Sequence, residues 1–443
     1  MRGGVDKVRA GRRIRRPAAR SSRKGARYVG VTLAGALAAA GLAACGTSSA
    51  ATGPVTLNFY LYPDSSGATA TAINNCDKQS GGKYTISYQQ LPTGSDGQRQ
   101  QLVRRMAAHD TTIDILGLDV TWEAEFAQAG WAQPWTGKYL AQAEAGTLKP
   151  ALQTAIWKGK LYAVPDNSNT QLLWYRSDLV PNPPKTWAQM LADAEALAKQ
   201  GKPHFIEIQG AQYEGGTVWF NTMNSSAGGT VLNPTATKVT LGAPAVKALS
   251  IMKQLATSPA ADPSLSNQME NDNRLAMEAG NAAFELNYPF VYPAMKADNP
   301  KLFKVFKWAL YPEVNPGVPA KVTIGGIDLA VSAYSQHKAL AFQAALCLRD
   351  KQNQIIGANV GGVPPTIVSL YNNPALFKNY PFHADILQAL EHASVRPKTP
   401  VYQVVSIDIS HLISPPSGIS PKSTEQSMVG QINNALQSKG LVP

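Results

Sequence analysis

Tyr28 to Ala44 is an almost unbroken run of small and apolar residues, and it ends in Leu42-Ala43-Ala44-Cys45-Gly46. Ahead of it, Arg2 to Arg27 holds eleven Lys or Arg and a single acid, Asp6. A basic start followed by a short apolar segment is the layout of an export signal, too short for an ordinary bilayer span. Its last four residues have the pattern of a lipobox, in which Cys45 is acylated and becomes the first mature residue. Arg12-Arg13 and Arg15-Arg16 are compatible with twin-arginine export. Residues 1–44 are therefore expected to be the signal, and residues 45–53 the acylated cysteine and its tether. Everything downstream is expected to fold at the extracytoplasmic face of the cell membrane, lipid-anchored.

That division changes what the charge means. The leading segment holds 11 of the 41 basic and one of the 29 acidic residues, leaving 30 against 28 beyond it. A chain so nearly neutral offers no electrostatic argument for nucleic acid. The segment beyond the signal is too long for one core, so two domains are expected. Cys76 and Cys347 remain once Cys45 is assigned to lipid, and two cysteines in an exported chain are more often bridged than free. Neither Cys-x-x-Cys nor His-x-x-x-His occurs, which argues against a structural zinc site. No cofactor is implied, and a monomer is the default.

Beyond the tether, Val55 to Tyr62 alternates like a first strand, Gly67 to Asn75 reads as a helix, and Tyr84 to Gln90 as the next strand. Gln98 to His109 places Leu102, Val103 and Met106 on one helical face, and Ile113 to Leu118 reads as a buried strand. Such alternation predicts α/β layers with largely parallel sheets. Thr186 with Gln189 three residues later predicts a capping box, with Met190, Leu191, Ala194 and Leu197 facing inward and Gly201 as the stop. Leu275 to Gly280 reads as a helix end feeding a strand at Ala282 to Leu286.

Four segments carry a resemblance. Trp157-Lys158-Gly159-Lys160-Leu161-Tyr162-Ala163-Val164-Pro165, Leu172-Leu173-Trp174-Tyr175, Pro181 to Trp187 and Met277 to Phe290 resemble family 1 extracellular solute-binding proteins, which deliver sugars to ATP-driven (ABC) importers. Gly117 to Trp122, Asn169 to Tyr175, Lys321 to Gly326 and Val395 to Gln403 resemble, more narrowly, the trehalose-binding lipoproteins of mycolic-acid bacteria. The chain departs from them at Tyr288, where Trp is expected, at Ser66, where Asp is expected, and in a shorter Met295 to Lys307. The resemblance implies a two-lobed periplasmic-binding-protein-like fold (type II, maltose-binding-like) with interlobe crossings and a ligand cleft. Crossings are expected near Pro165 to Asn169, Pro316 to Val322 and Gly362 to Pro365. Lobe one is then 54–165 plus 322–362, and lobe two 166–321 plus 363–443. On that plan Cys76 and Cys347 share a lobe. The implied partners are a trehalose-like disaccharide, the importer's permease subunits and the membrane through its lipid anchor.

A disaccharide presents hydroxyls that both donate and accept, together with weakly apolar C–H faces. Carboxylates, amides and arginine suit the first, and aromatic rings the second. Asp119 follows an apolar strand, placing it where open α/β sheets hold ligands, or else it caps the helix near Trp122. Asn169 is either a hinge ligand or a turn former in Asp166-Asn167-Ser168-Asn169. Glu270 reads from its surroundings as a surface acid, and only the resemblance promotes it. Tyr288 suits stacking, and Phe290 suits either cleft or core. Gly325 and Gly326 suit a close backbone approach or a tight turn. Arg396, extended before Pro397, is expected exposed, with a fork that suits paired hydroxyls or a salt bridge to the carboxy-terminal helices. Asp64 and Gln98 follow the first and second strands and are weaker candidates. The rival class is a secreted carbohydrate hydrolase pairing Asp119 with Glu270 or Glu285. It lacks a nucleophile elbow and would release its product, so the protein is not expected to be an enzyme. A polyol, maltose-type glucan or glycoside cargo on the same receptor is the third reading.

Overall fold

The structure is a computed structural model that describes residues 53–438. The expected export signal, Cys45 and most of the tether lie outside the described residues. The strands are β1 (Val55–Leu61), β2 (Tyr84–Gln90), β3 (Ile115–Asp119), β4 (Ile156–Trp157), β5 (Lys160–Leu161), β6 (Ala163–Asn169), β7 (Leu172–Arg176), β8 (Phe205–Glu207), β9 (Ala282–Asn287), β10 (Phe306–Ala309) and β11 (Gly325–Val331). They form a five-stranded sheet in the order β2-β1-β3-β11-β6, a four-stranded sheet in the order β10-β7-β9-β8, and the small β4-β5 ribbon.

The alternating segments fold as their patterns require. β1 runs parallel to β2 and β3, with helices Ala68–Gln79 and Ser95–Ala107 as the crossovers that parallel pairing needs. The expectation of largely parallel sheets needs correction, because both sheets are mixed. β11 is antiparallel to β3 and β6, and β7 is antiparallel to β9 and β10. β11 reaches the first sheet from the second, so no helical crossover fixes its direction.

The chain passes from the first sheet to the second over Thr170 and Gln171, both fully buried, and returns between β10 and β11. Pro365 then bridges to Asn167 beside the first passage. One core forms under each sheet. Leu57, Ile115, Leu102 and Val331 belong to the first, and Leu173, Trp187, Trp219 and Met428 to the second. A third cluster packs Leu148 and Ala151 against Leu172, Trp174, Tyr371 and Phe382, tying the segment before β4 to the second sheet.

Helix Trp187–Lys199 shows how far local signals reach. Thr186 Oγ1 accepts from the Gln189 N–H, Gln189 Oε1 accepts from the Thr186 N–H, and the four predicted inward residues are buried. Cys76, on helix Ala68–Gln79, is bonded to Cys347, on helix Lys338–Leu348, with their Cα atoms 5.7 Å apart. The bridge ties residues 271 positions apart within the core of the first sheet. Replacing both cysteines by alanine is expected to lower the unfolding free energy by about 2–4 kcal/mol, read from urea denaturation monitored by circular dichroism.

Candidate functional site

A cleft of about 700 Å³ opens between the two sheets. Asp64, Asp119, Asp166 and Gly326 line it from the first sheet's side, and Arg274 and Phe290 from the second's. β1 and β3 both end at this cleft, so their carboxyl ends aim the following side chains into it, as in other open α/β sheets.

Asp119 closes β3. Its Oδ1 accepts from the N–H and the hydroxyl of Thr121, at 3.0 and 2.7 Å, while the next helix begins only at Glu123. The carboxylate therefore braces a turn rather than capping that helix. The same oxygen lies 3.5 Å from Arg396 Nη2. Arg396 lies outside any helix or strand, and its expected exposure is wrong: the residue is 5% accessible. Its guanidinium donates to Glu214 and, through Nη2 at 3.4 Å, to the Ile324 carbonyl, while its Nε has no partner. Burial opposes the charge on Arg396, but Asp119, Tyr402 and Glu214 hold it firmly protonated.

Glu214 was missed from sequence. It opens helix Glu214–Ser226, where an acid suits the positive end of the dipole. It also accepts from the Tyr402 hydroxyl at 2.6 Å and from Ser406. Burial raises its carboxyl above the ordinary range, against the pull of Arg396. The salt-bridge reading of Arg396 therefore holds, since it reaches helix Tyr402–Leu412 through Glu214, and its other face meets Asp119.

Asp166-Asn167-Ser168-Asn169 is not a turn but the end of β6, paired with β11. Asn169 lines the cleft, and its Oδ1 is buried without a partner. Asp166, within the same segment, lines the cleft as well. Burial pushes its carboxyl up to about 6, against Asn167 and Arg349. Gly326 has φ 137°, and a Cβ there would stand 2.3 Å from the Asn167 carbonyl, so only glycine fits this approach of β11 to β6.

Asp64 lines the cleft with its oxygens committed locally. It accepts from the N–H and hydroxyl of Ser66, at 2.8 and 2.6 Å, and from the Thr69 N–H at 2.7 Å. Burial raises its carboxyl, but these hydrogen bonds outweigh it and the net direction is down. Phe290 lines the cleft and also packs on the third core cluster. A Cβ on Gly362 would come 2.7 Å from Phe290 Cα, so that loop seats directly against Phe290.

Glu270 opens helix Glu270–Glu278, and burial raises its carboxyl. Tyr288 directly follows β9. Burial first, and the Glu270 carboxylate second, push its hydroxyl up, with Arg396, Asp119 and Glu214 also within electrostatic reach. The Tyr213 hydroxyl is buried against the Glu270 carboxyl, and its titration is raised by burial first and by Glu270 second. Tyr288 is within electrostatic reach of both Glu270 and Arg396, but none of Glu270, Tyr288, Tyr213 and Arg396 lines the cleft itself.

Gln98 lies inside helix Ser95–Ala107, not in a loop, and donates to the Thr93 carbonyl at 3.1 Å. It does not line the cleft. Glu285 is fully buried in β9, in register with Glu207 of β8, and likewise does not line the cleft. Among the described residues there is no group of three or more His, Cys, Asp or Glu placed to hold a metal ion.

The site offers a fixed cation, a carboxylate across from it, amides and aromatic rings. That set pairs hydroxyls and covers C–H faces. Glu214→Ala should leave the Arg396 charge buried with its main partner gone and cost about 3–5 kcal/mol in urea unfolding. Asp166 has a folded value raised from 3.8 to about 6. Its stabilising contribution is therefore complete below 3.8 and lost as pH rises through about 6. Thermal melts should show Asp166→Asn gaining on the parent chain across that window and holding the gain above it.

Residues 69–355 match the family described as bacterial extracellular solute-binding protein. A protein of Deinococcus radiodurans described as a probable ABC transporter-binding protein is 31% identical over 329 residues, covering 71% of this chain and 77% of that one. Maltose-bound MalE3 of T. maritima superposes with a TM-score of 0.78 at 24% identity, covering 86% of this chain and 98% of that one. The GacH receptor of Streptomyces glaucescens, solved unliganded and with acarbose, gives 0.76 at 21% identity, covering 87% and 100%. A solute-binding protein of Agrobacterium radiobacter in complex with ribitol gives 0.74 at 19%, covering 86% and 98%. The fold is the maltose-binding-protein-like two-lobed α/β fold, and the chain belongs to the bacterial extracellular solute-binding protein family.

Proposed function

We propose that the chain is the extracytoplasmic substrate-binding component of an ABC sugar importer. On this reading it is anchored through an acylated Cys45, binds trehalose or a related glucose disaccharide between its lobes, and hands it to the permease subunits. The observation that carries this is a set of buried polar atoms without partners beside the cleft. They are Asn169 Oδ1, an acceptor, and Arg396 Nε, a donor. An unpaired buried polar group costs about 1–3 kcal/mol, and a polyhydroxylated ligand removes that cost at each one. Charge-assisted bonds from Arg396 and Asp119 then contribute about 1.5–3 kcal/mol each where closure excludes water. Tyr288 and Phe290 supply the ring faces.

The hydrolase reading needs two carboxyl groups flanking one bond. Glu285 lies within the second sheet, away from the cleft, and so leaves that role. A polyol cargo is favoured by one comparison, the ribitol-bound relative, and it is the second reading.

Calorimetric titration with trehalose, maltose, ribitol and glucose, followed by assay for released glucose, tests the assignment. Trehalose should bind at about micromolar affinity, near 8 kcal/mol, and remain intact. Asp119→Ala and Arg396→Ala should each weaken it at least tenfold, about 1.4 kcal/mol. Tighter binding of maltose or ribitol would replace trehalose as cargo, and glucose released from a disaccharide would contradict the receptor reading.

A further inference from the structure

Beneath Glu270 and Tyr288 lies a fully buried polar network that the cleft itself does not use. Its centre is Asn287, the last residue of β9, with no exposed surface. Its amide nitrogen donates to the Glu270 backbone carbonyl at 2.8 Å and to Glu285 Oε1 at 2.7 Å. Its amide oxygen accepts from the Tyr288 N–H at 2.8 Å. Its own carbonyl accepts from Trp174 Nε1 at 2.8 Å. One side chain therefore clamps two consecutive elements, the start of helix Glu270–Glu278 and, 17 residues on, the exit of β9.

The clamp is braced on both sides. Glu285 is pushed up to about 8 by burial, so at neutral pH it is a neutral acid that accepts from Asn287 without adding a buried charge. On the other strand, Gln268 Nε2 donates to Glu207 Oε2 at 2.6 Å, and Asn273 Nδ2 donates to Gln268 Oε1 at 3.0 Å. Gln209 Nε2 donates to Asn273 Oδ1 at 2.8 Å and to the Leu286 carbonyl at 3.0 Å, which joins this second set to β9. Such a network is costly to bury, and Glu285 Oε2 and Glu207 Oε1 are left without partners, so the bonds that are made run outward to the backbone of Glu270 and Tyr288.

Resting on the receptor reading above, we infer that Asn287 is a positioning residue for ligand binding, fixing Glu270 and Tyr288 relative to each other. It touches no ligand. A carboxylate and a ring that must meet one sugar need their separation held more tightly than two loop ends hold it. A residue that merely stabilised the fold would change melting temperature while leaving the two side chains independent in binding.

The test is a double-mutant cycle on the full chain in mild detergent, titrated with whichever of trehalose, maltose and ribitol the parent chain binds tightest. Asn287→Ala is expected to weaken binding at least tenfold. Glu270→Gln should weaken the parent at least fivefold but the Asn287→Ala chain less than twofold, because the carboxylate is already misplaced. Leu191→Ala, in a helix remote from the network, should lower the melting temperature with affinity unchanged within twofold. Effects of Asn287→Ala and Glu270→Gln that simply multiply, or an Asn287→Ala chain with parental affinity, overturn the inference while leaving the receptor reading intact. Should Asn287→Ala fail to fold, Glu285→Leu removes the brace in its place, and the same multiplicative result overturns the inference. A folded parent chain that binds none of the three probes overturns the receptor reading and this inference with it.

Discussion

The burial of one guanidinium organises the rest of this molecule. Arg396 cannot shed its proton, so a position 5% exposed to solvent must be matched by negative charge and carbonyl oxygen. Glu214 supplies the near partner, Asp119 the one opposite, and the Ile324 carbonyl the third contact. Each partner sits on a different element. Helix Glu214–Ser226, the end of β3 and the approach to β11 are thereby fixed around one atom group. Asp119 lines the cleft, and Arg396, set behind it, meets it at 3.5 Å while also holding Glu214.

Sheet geometry explains why the site lies there. β1, β3 and β9 all finish at the cleft region, leaving Asp64, Asp119 and Tyr288 at or just beyond their ends. Two further tethers join the halves. Gln403 Nε2 donates to Asp96 at 2.8 Å, and Lys398 Nζ donates to the Gln153 carbonyl at 2.8 Å. The surrounding cores carry the stability, which leaves the cleft free to hold polar atoms without partners.

Much of this was legible in the sequence, and the remainder was hidden for identifiable reasons. Period-two alternation located β1, and the Thr186–Gln189 pair located its helix, because both signals are local. Strand direction was not local, and β11 runs against β3 because it returns from the other sheet. Asp119 was legible because a carboxylate after an apolar strand has few destinations. Glu214 was hidden, since an acid at a helix start has an ordinary explanation until Arg396 is found beside it. The adjoining Gly215 was the available signal: a Cβ there would stand 2.1 Å from the Tyr213 hydroxyl, so the ring folds back over the helix start. Asp166 was hidden by its neighbours, because Asp-Asn-Ser-Asn reads as a turn and forms strand only by pairing with β11.

The central claim is that the unpaired atoms beside the cleft await the hydroxyls of a captured solute. A crystal structure of the chain with its tightest-binding sugar tests this most directly. The account predicts the sugar between the lobes, with hydroxyl oxygens within about 3 Å of Asn169 Oδ1 and Arg396 Nε. A sugar bound elsewhere, with both atoms still unpaired, would contradict it.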